Sequence, residues 1–201
     1  MSGSAARRQV YCLPARGSVM DESDDALMHR VGQGDHEACR ALVERHLGRI
    51  VAFATRTLGS RADAEDVAQD TFFRAWRNAR RWQPGRARLT TWLHRIALNL
   101  CLDRLARRRD APLDGVPEPV DPTPSAVALL ERRALGERVS HELAALPPQQ
   151  RVAITLCHYQ GLGNVEAAEV LGVSVEALES LLARGRRTLR ARLRLERGED
   201  A

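Results

Sequence analysis

The chain has 201 residues, of which 44% are hydrophobic and 4% aromatic, a length that allows one domain or two small ones. Its formal net charge is +5; all 31 basic residues are arginine, and lysine is absent. No apolar run approaches the roughly 18 residues that a membrane-spanning helix needs, so the sequence predicts no such helix.

The arginines are concentrated in two segments. Residues 74–109 contain eleven arginines against a single acid, Asp103, and residues 184–197 contain seven against Glu196. The planar guanidinium group presents a fork of donors that suits phosphates and base edges. Two separate basic segments therefore predict two contacts with a polyanion.

The four cysteines (residues 12, 39, 101 and 157) are scattered and form no CxxC pair. This usage predicts neither a disulfide framework nor a zinc site, and it fits a reducing cytoplasmic setting. Cys157 and His158 are adjacent, and neighbours on a helix point about 100° apart, which disfavours a shared metal ion. The first 20 residues lack the apolar core of a signal peptide, and residues 1–22 predict a disordered tail. If translation starts at Met20, the residues before it are upstream sequence.

The first half of the chain predicts helices, because apolar residues recur at helical spacing and alternating strand patterns are nearly absent. A short helix is expected over Asp24–Val31. Asp35 should cap a long helix that Gly59 ends, and Ser60 should cap a helix to about Arg80. After a loop at 82–89, Thr90 or Thr91 should cap a helix that ends near residue 108.

Residues 110–125 interrupt this pattern. Five of these sixteen residues are proline, four are acidic and none is basic. Such a segment predicts an extended linker, and a simple tether is the plainest interpretation of it. The sequence therefore predicts an all-α protein with two small helical domains, at 23–109 and 126–197.

The second half predicts a helix-turn-helix. After helices at 125–146 and 149–159, Asn164 should cap a short helix, Gly172 should make a left-handed turn, and Ser174 should cap a helix over Val175–Arg194. An amphipathic helical hairpin gives the same pattern, but the arginines at the end of the last helix favour DNA binding. The predicted base-reading face consists of Glu176, Glu179, Ser180, Ala183, Arg184 and Arg187.

Residues 64–102 combine three features in order: the helix AEDVAQDTFFRAW, an arginine-rich loop, and a helix that carries Trp92 and Asn99. Ala64, Ala68, Phe72, Ala75 and Trp76 are predicted to form one apolar stripe. The acids opposite them could simply be solvated, and Trp92 is expected to pack in the core.

This order resembles region 2 of sigma-70-type transcription initiation factors, most closely the extracytoplasmic-function (ECF) group. The stretch Leu146–Leu193 resembles region 4, although family members often carry a basic residue where this chain has Glu179 and Leu181, and alanine where it has Gly185. The resemblance implies a protein that binds core RNA polymerase, through the beta-prime clamp and the beta flap, and reads the −10 and −35 promoter elements. It also implies an anti-sigma factor as partner, and no cofactor, metal ligand or catalytic residue.

The resemblance assigns residues to two sites in the first domain. For the polymerase these are Asp66, Gln69, Asp70, Phe73, Arg74 and Arg77. For the −10 element, where a base would flip out of the opened strand, they are Trp82, Arg86, Arg88, Arg95, Asn99, Arg104 and Arg107. The −35 site is the helix face given above.

Two other functions fit parts of the pattern. A sigma-like mimic would sequester an anti-sigma factor without binding DNA, but the arginine-rich segment at 74–109 argues against it. A stand-alone helix-turn-helix regulator would bind DNA without polymerase, but the helix at 64–76 argues against that.

Overall fold

The computed structural model describes residues 22–110, 136 and 138–195. These residues form eight α-helices and contain no β-strand, which confirms the all-α prediction. The expected tail before residue 22, the linker residues 111–125 and the expected helix residues 126–135 lie outside the described part of the chain.

Four helices form the first bundle: α1 (Asp24–Gly32), α2 (His36–Leu58), α3 (Arg61–Asn78) and α4 (Leu89–Asp110). A single 3₁₀ turn, Ala79–Arg81, follows α3. The predicted caps at Asp35 and Ser60 are confirmed, since each side chain accepts hydrogen bonds from backbone N–H groups of the following first turn. Gly59 ends α2 with a φ of 71°, a left-handed conformation that favours glycine.

The start of α4 differs from the prediction. The helix begins at Leu89, whereas the expected cap was Thr90 or Thr91, one or two residues further on. The backbone N–H of Trp92 donates to the carbonyl oxygen of Arg88 at 3.1 Å, so Arg88 occupies the cap position. Both threonines consequently lie inside the first turn.

Helix α4 packs against α2 and α3 of this bundle and also against the helix Asn164–Leu171, which comes later in the chain. Leu93, Ala97 and Cys101 are almost fully buried along it. His94 is also buried, and its Nδ1 donates to the Thr90 carbonyl oxygen at 2.7 Å, since that oxygen can only accept. Burial lowers the pKa of His94, which therefore packs against its neighbours as a neutral ring.

The second bundle contains α5 (residues 138–144), α6 (Pro148–Ile154), α7 (Asn164–Leu171) and α8 (Val175–Leu195). A π-helical turn, Thr155–Tyr159, extends α6. Gly172 takes the predicted left-handed conformation (φ 68°), and Ser174 accepts from the N–H of Ala177 at 3.2 Å. Helices α7 and α8 thus form the predicted helix-turn-helix.

The cap of α7 differs from the prediction, because Asn164 is the first helical residue rather than the cap. Gly163 is the cap, and its backbone N–H donates to the Glu166 side chain at 3.1 Å. The side chain of Asn164 instead donates to Glu179 of α8 at 3.2 Å, which ties the two helices together.

Gly185 lies where α8 crosses α6. A Cβ atom at this position would lie 2.7 Å from Cδ1 of Ile154 and 3.4 Å from Cβ of Gln150. A glycine inside a helix costs about 1 kcal/mol relative to alanine. Because an added Cβ atom would clash with Ile154 of α6, a glycine fits at this position where alanine would require a shift of that side chain.

We expect Gly185→Ala to change the free energy of unfolding by less than about 1 kcal/mol, because the gain in helix propensity is offset by displacement of Ile154. In an Ile154→Val background, which removes Cδ1, the same substitution should stabilise the protein by about 1 kcal/mol. Urea denaturation of the unmodified chain, of each single variant and of the double variant measures the free energy of unfolding, and the effect of Gly185→Ala is then compared between the two backgrounds. Equal effects in both backgrounds would contradict the steric explanation.

The two bundles pack against each other. Arg49 of α2 donates to the Gln160 carbonyl oxygen at 2.6 Å, and Arg151 of α6 donates to the Thr57 carbonyl oxygen at 3.0 Å. The Arg56 guanidinium lies 4.3 Å from the centroid of the Tyr159 ring, a cation–π contact. These contacts connect the end of α2 to α6 and the turn that follows it.

Candidate polymerase and nucleic-acid surfaces

The first candidate surface is the outer face of α3. All six residues that the sequence assigns to polymerase binding are exposed on this helix. Phe73 is 52% exposed, and the Arg77 guanidinium lies 5.7 Å from the centroid of its ring. An exposed aromatic ring flanked by charged groups is typical of a protein-binding surface.

Trp76 belongs to this surface and not to the core. The prediction that it continues the apolar stripe of Ala64 is wrong, because Trp76 is 45% exposed. Its ring lies edge-on to Phe73 at a centroid distance of 6.5 Å and to His36 at 6.3 Å. The buried face of α3 is formed instead by Ala64, Val67, Ala68, Thr71 and Ala75.

The second candidate surface is a pocket of about 460 Å³ between the end of α3, the following loop and α4. It brings together four of the seven residues predicted for the −10 site. They are Trp82, Arg86, Arg95 and Asn99. Pockets of 300–1,000 Å³ are of the size that holds a small organic group such as a nucleobase.

One wall of this pocket is built by two neighbouring tryptophans whose rings are tilted against each other. The ring centroids of Trp82 and Trp92 lie 5.2 Å apart at an interplanar angle of 45°. The indole N–H of Trp82 donates to Asp25 of α1 at 2.9 Å, which fixes the loop against the bundle. Trp92 is half-buried against the core, as expected, and it also lines the pocket.

The other three predicted −10 residues lie elsewhere. Arg88 forms an ion pair with Glu166 of α7 at 3.3 Å. Arg104 contacts Asp63 and Asp66 of α3, each at 3.4 Å, so its guanidinium joins α4 to α3. Arg107 is exposed near the end of α4.

The third candidate surface is the outer face of α8. The six residues predicted to read bases are all exposed, whereas Leu178, Leu181 and Leu182 are buried. Leu181 is therefore a core residue. The pKa of Glu176 is lowered by a hydrogen bond from its own backbone N–H and by one from Ser174, which keeps this carboxylate ionised at the start of the helix.

The pocket is also lined by residues that were not among those predicted for the −10 site. Arg74, expected on the polymerase-binding face, lines the pocket, as do Asn78, Arg81 and Gln83. Arg74, Asn78 and Arg81 follow one another at spacings of four and three residues, which is a helical period that could have identified them. Glu169 also lines it but belongs to α7, and no local pattern predicts this long-range contact.

Within the described residues, no helix is long and apolar enough to cross a membrane, and no group of three or more potential metal ligands is present.

Two family models match the chain. The model for Sigma-70 region 2 matches residues 42–111, and the model for Sigma-70 region 4 matches residues 136–189. The first match contains α3, α4 and every lining residue of the pocket except Glu169, and the second contains α7 and most of α8.

Relatives and solved structures agree with these matches. The ECF RNA polymerase sigma factor SigW of Bacillus subtilis is 31% identical over 180 residues, covering 82% of this chain and 94% of SigW. SigE of Mycolicibacterium smegmatis is 37% identical over 164 residues, which cover 80% of this chain and 63% of SigE. The structure of CnrH in complex with the cytosolic domain of CnrY is 32% identical, with a TM-score of 0.66, over 90% of this chain and 100% of that one.

A further structure shows the fold alone. The sigma factor RpoE in complex with the anti-sigma factor NepR from Bartonella quintana is 23% identical, with a TM-score of 0.63, over 77% of this chain and 96% of that one.

The two bundles, the arginine-lined pocket and the helix-turn-helix define a helical, two-domain DNA-binding factor. Because both family models match in the expected order and the relatives are ECF sigma factors, the chain belongs to the ECF group of the sigma-70 family.

Proposed function

We propose that this chain acts in the cytoplasm as the promoter-specificity subunit of RNA polymerase and not as an enzyme. It binds core polymerase and promoter DNA and directs transcription initiation. The observation that carries this function is the occurrence, in one chain, of region 2 and region 4 in the family's order. Region 2 presents two candidate surfaces, the exposed face of α3 and the pocket, and region 4 presents the exposed face of α8.

Polymerase binding is proposed for the exposed face of α3. Asp66, Gln69, Asp70, Phe73, Arg74 and Arg77 would contact the beta-prime clamp. The contact between Phe73 and Trp76 supports this assignment, because two neighbouring exposed aromatic rings can supply the buried centre of an interface. The acids beside them would give the surface a charge complementary to basic groups of the polymerase. The second bundle would contact the beta flap.

The pocket is proposed to capture a base of the opened −10 element. Flipping a base costs a few kcal/mol, and stacking on an aromatic ring returns about 1–3 kcal/mol per base. Asn99 carries both a donor and an acceptor, so it can pair with a base edge. Binding energy from these groups can offset the cost of strand opening without covalent chemistry. Arg86 and Arg95 would neutralise the adjacent phosphates.

The −35 element is proposed to lie against α8. Arg184 and Arg187, two turns or more from the helix start, would contact phosphates or guanines. The carboxylates of Glu176 and Glu179 can only accept hydrogen bonds, so they suit the amino group of cytosine in the major groove. The two acids therefore favour a promoter element with cytosine on the contacted strand.

A run-off transcription assay with purified core polymerase tests the proposal. A library of randomised promoters, transcribed with core plus this chain, should yield a defined set of templates that core alone does not transcribe. Core with a different sigma factor is the positive control. A failure to obtain promoter-dependent transcripts while that control is active would contradict the function and favour a mimic.

An anti-sigma factor is proposed as a further partner. The sigma factor RpoE is seen in complex with the anti-sigma factor NepR, and CnrH is seen in complex with the cytosolic domain of CnrY. Co-purification of the chain from its own cells, followed by identification of the bound protein, tests for this partner.

A further inference from the structure

Glu179, on the exposed face of α8, is held by a side chain of the preceding helix. Asn164 of α7 donates from its Nδ2 to Glu179 Oε1 at 3.2 Å, and both residues are exposed. Residues near the start of the second helix of a helix-turn-helix contact base edges, and Glu179 is the fifth residue of α8. The hydrogen bond therefore lies beside the surface that would meet DNA.

The orientation of the Asn164 amide is set at both of its ends. Its Oδ1 lies 4.0 Å from the sulfur of Cys157, within reach of a weak hydrogen bond from the thiol. Partial burial raises the pKa of Cys157, so the thiol stays protonated and can donate. A flipped amide would place Oδ1 against the Glu179 carboxylate, and two acceptors repel each other. The amide therefore presents its N–H groups to Glu179.

This contact leaves one carboxylate oxygen of Glu179 available to DNA. Oε1 accepts from Asn164, whereas Oε2 accepts no hydrogen bond from the described residues. An exposed glutamate otherwise populates several rotamers, and ordering it when DNA binds costs free energy. A glutamate that is ordered beforehand avoids part of that cost. In the major groove its free oxygen can accept from the amino group of cytosine, but it is repelled by the carbonyl oxygen of thymine.

We propose that Asn164 is a positioning residue for base recognition: it holds Glu179 so that the free carboxylate oxygen faces the major groove and selects cytosine. This inference rests on the proposed contact of α8 with the −35 element. Asn164 acts through Glu179 and does not touch the base itself. Its loss should therefore change the base preference at one position of the element and leave the other positions as they are.

The hydrogen bond is tested first in the free chain, where neither DNA nor polymerase is needed. In nitrogen–proton correlation spectra, the side-chain amide signals of Asn164 are identified by their loss in Asn164→Ala, and they should move in Glu179→Ala. Glu176→Ala is the comparison, because Glu176 accepts instead from its own backbone N–H and from Ser174. It should leave these signals in place. Amide signals that do not move in Glu179→Ala would overturn the proposal.

The effect on base preference is tested by run-off transcription. The holoenzyme with the unmodified chain selects a promoter from random DNA, and each −35 position is then changed to every other base. The position that Glu179 reads is the one whose preference is lost in Glu179→Ala. At that position, Asn164→Asp and Asn164→Ala should each reduce the preference for cytosine over thymine about 10-fold. In the Glu179→Ala background, Asn164→Ala should change the preference no further.

The matched control is Val165→Asp. Val165 is 71% exposed and follows Asn164 on α7, so the substitution adds the same negative charge beside the same surface. It should weaken all templates equally, because added charge repels phosphates and carries no base preference. An acid in the first turn of a helix is favourable, so Asn164→Asp should fold. If its thermal transition is lost, Asn164→Ala, which adds no charge, decides the test.

Three outcomes would overturn the positioning role. They are a uniform loss over all templates in the Asn164 variants, an unchanged preference in those variants, and a Glu179→Ala variant that alters no position. A uniform loss would show that Asn164 contacts a phosphate or only joins the two helices. The sigma function fails separately, when the holoenzyme with the unmodified chain selects no promoter while core polymerase with another sigma factor is active.

Discussion

Replacing Phe73 and Trp76 together with alanine should weaken the association of this chain with core polymerase about 100-fold, which corresponds to about 2.7 kcal/mol. The two rings are 52% and 45% exposed and in edge-to-face contact, so their apolar surface is available to a partner. Exposed side chains away from the core contribute little to folding, and the melting temperature should change little. Biolayer interferometry with immobilised core polymerase measures the affinity.

The control for this prediction is Leu102→Ala. Leu102 is an exposed apolar residue on α4, 43% exposed, and no site is assigned to it. Its removal should leave polymerase binding unchanged. A second comparison uses Asp66→Ala with Asp70→Ala, which should weaken binding less than loss of the aromatic pair, because rim charges act mainly on the association rate. Unchanged affinity of the aromatic variant would remove α3 from the interface.

The helical period predicted most of α3 correctly but placed Trp76 on the wrong side. Each residue of an α-helix turns by about 100°, so steps of four residues drift by about 40°. Over the twelve residues from Ala64 to Trp76 the drift reaches about 120°, which carries the tryptophan away from the buried stripe. Ala75, eleven residues from Ala64, returns to within about 20° and is buried.

The starts of helices could be predicted from the sequence where a capping side chain accepts hydrogen bonds from the first helical turn. Asp35, Ser60 and Ser174 accept backbone hydrogen bonds as their residue types favour. At Gly163 the cap is completed by Glu166, three residues later, a signal that the sequence does contain. At α4 the backbone of Arg88 makes the first helical hydrogen bond, and no side-chain preference predicts that.

The contact of α7 with α4 and with the pocket could not be predicted from the sequence. The linker between the bundles is polar and rich in proline, which indicated two independent domains. The contact between Arg49 and Gln160 joins residues 111 positions apart. It uses a backbone carbonyl, and carbonyl groups carry no sequence signature. Long-range packing of this kind depends on the shapes of both bundles.

Replacing Asn99 with alanine should reduce sequence discrimination at one position of the −10 element by about 5- to 150-fold, which corresponds to the roughly 1–3 kcal/mol of a paired base contact. Asn99 is exposed on α4 and lines the pocket beside Trp92, so its amide can reach a base held there. The holoenzyme first selects promoters from random DNA. Each selected promoter is then varied one position at a time, and these variants are the templates. Open-complex formation on each template measures discrimination.

Arg107→Ala is the informative contrast, because Arg107 is exposed further along the same helix and lies outside the pocket. If it contacts a phosphate, its removal should weaken all promoters equally and reduce the slope of log affinity against log salt by about 1. Asn99→Ala should leave that slope unchanged, since an uncharged side chain releases no counterions. A uniform loss over all templates in the Asn99 variant would show that this residue positions the helix and does not read a base.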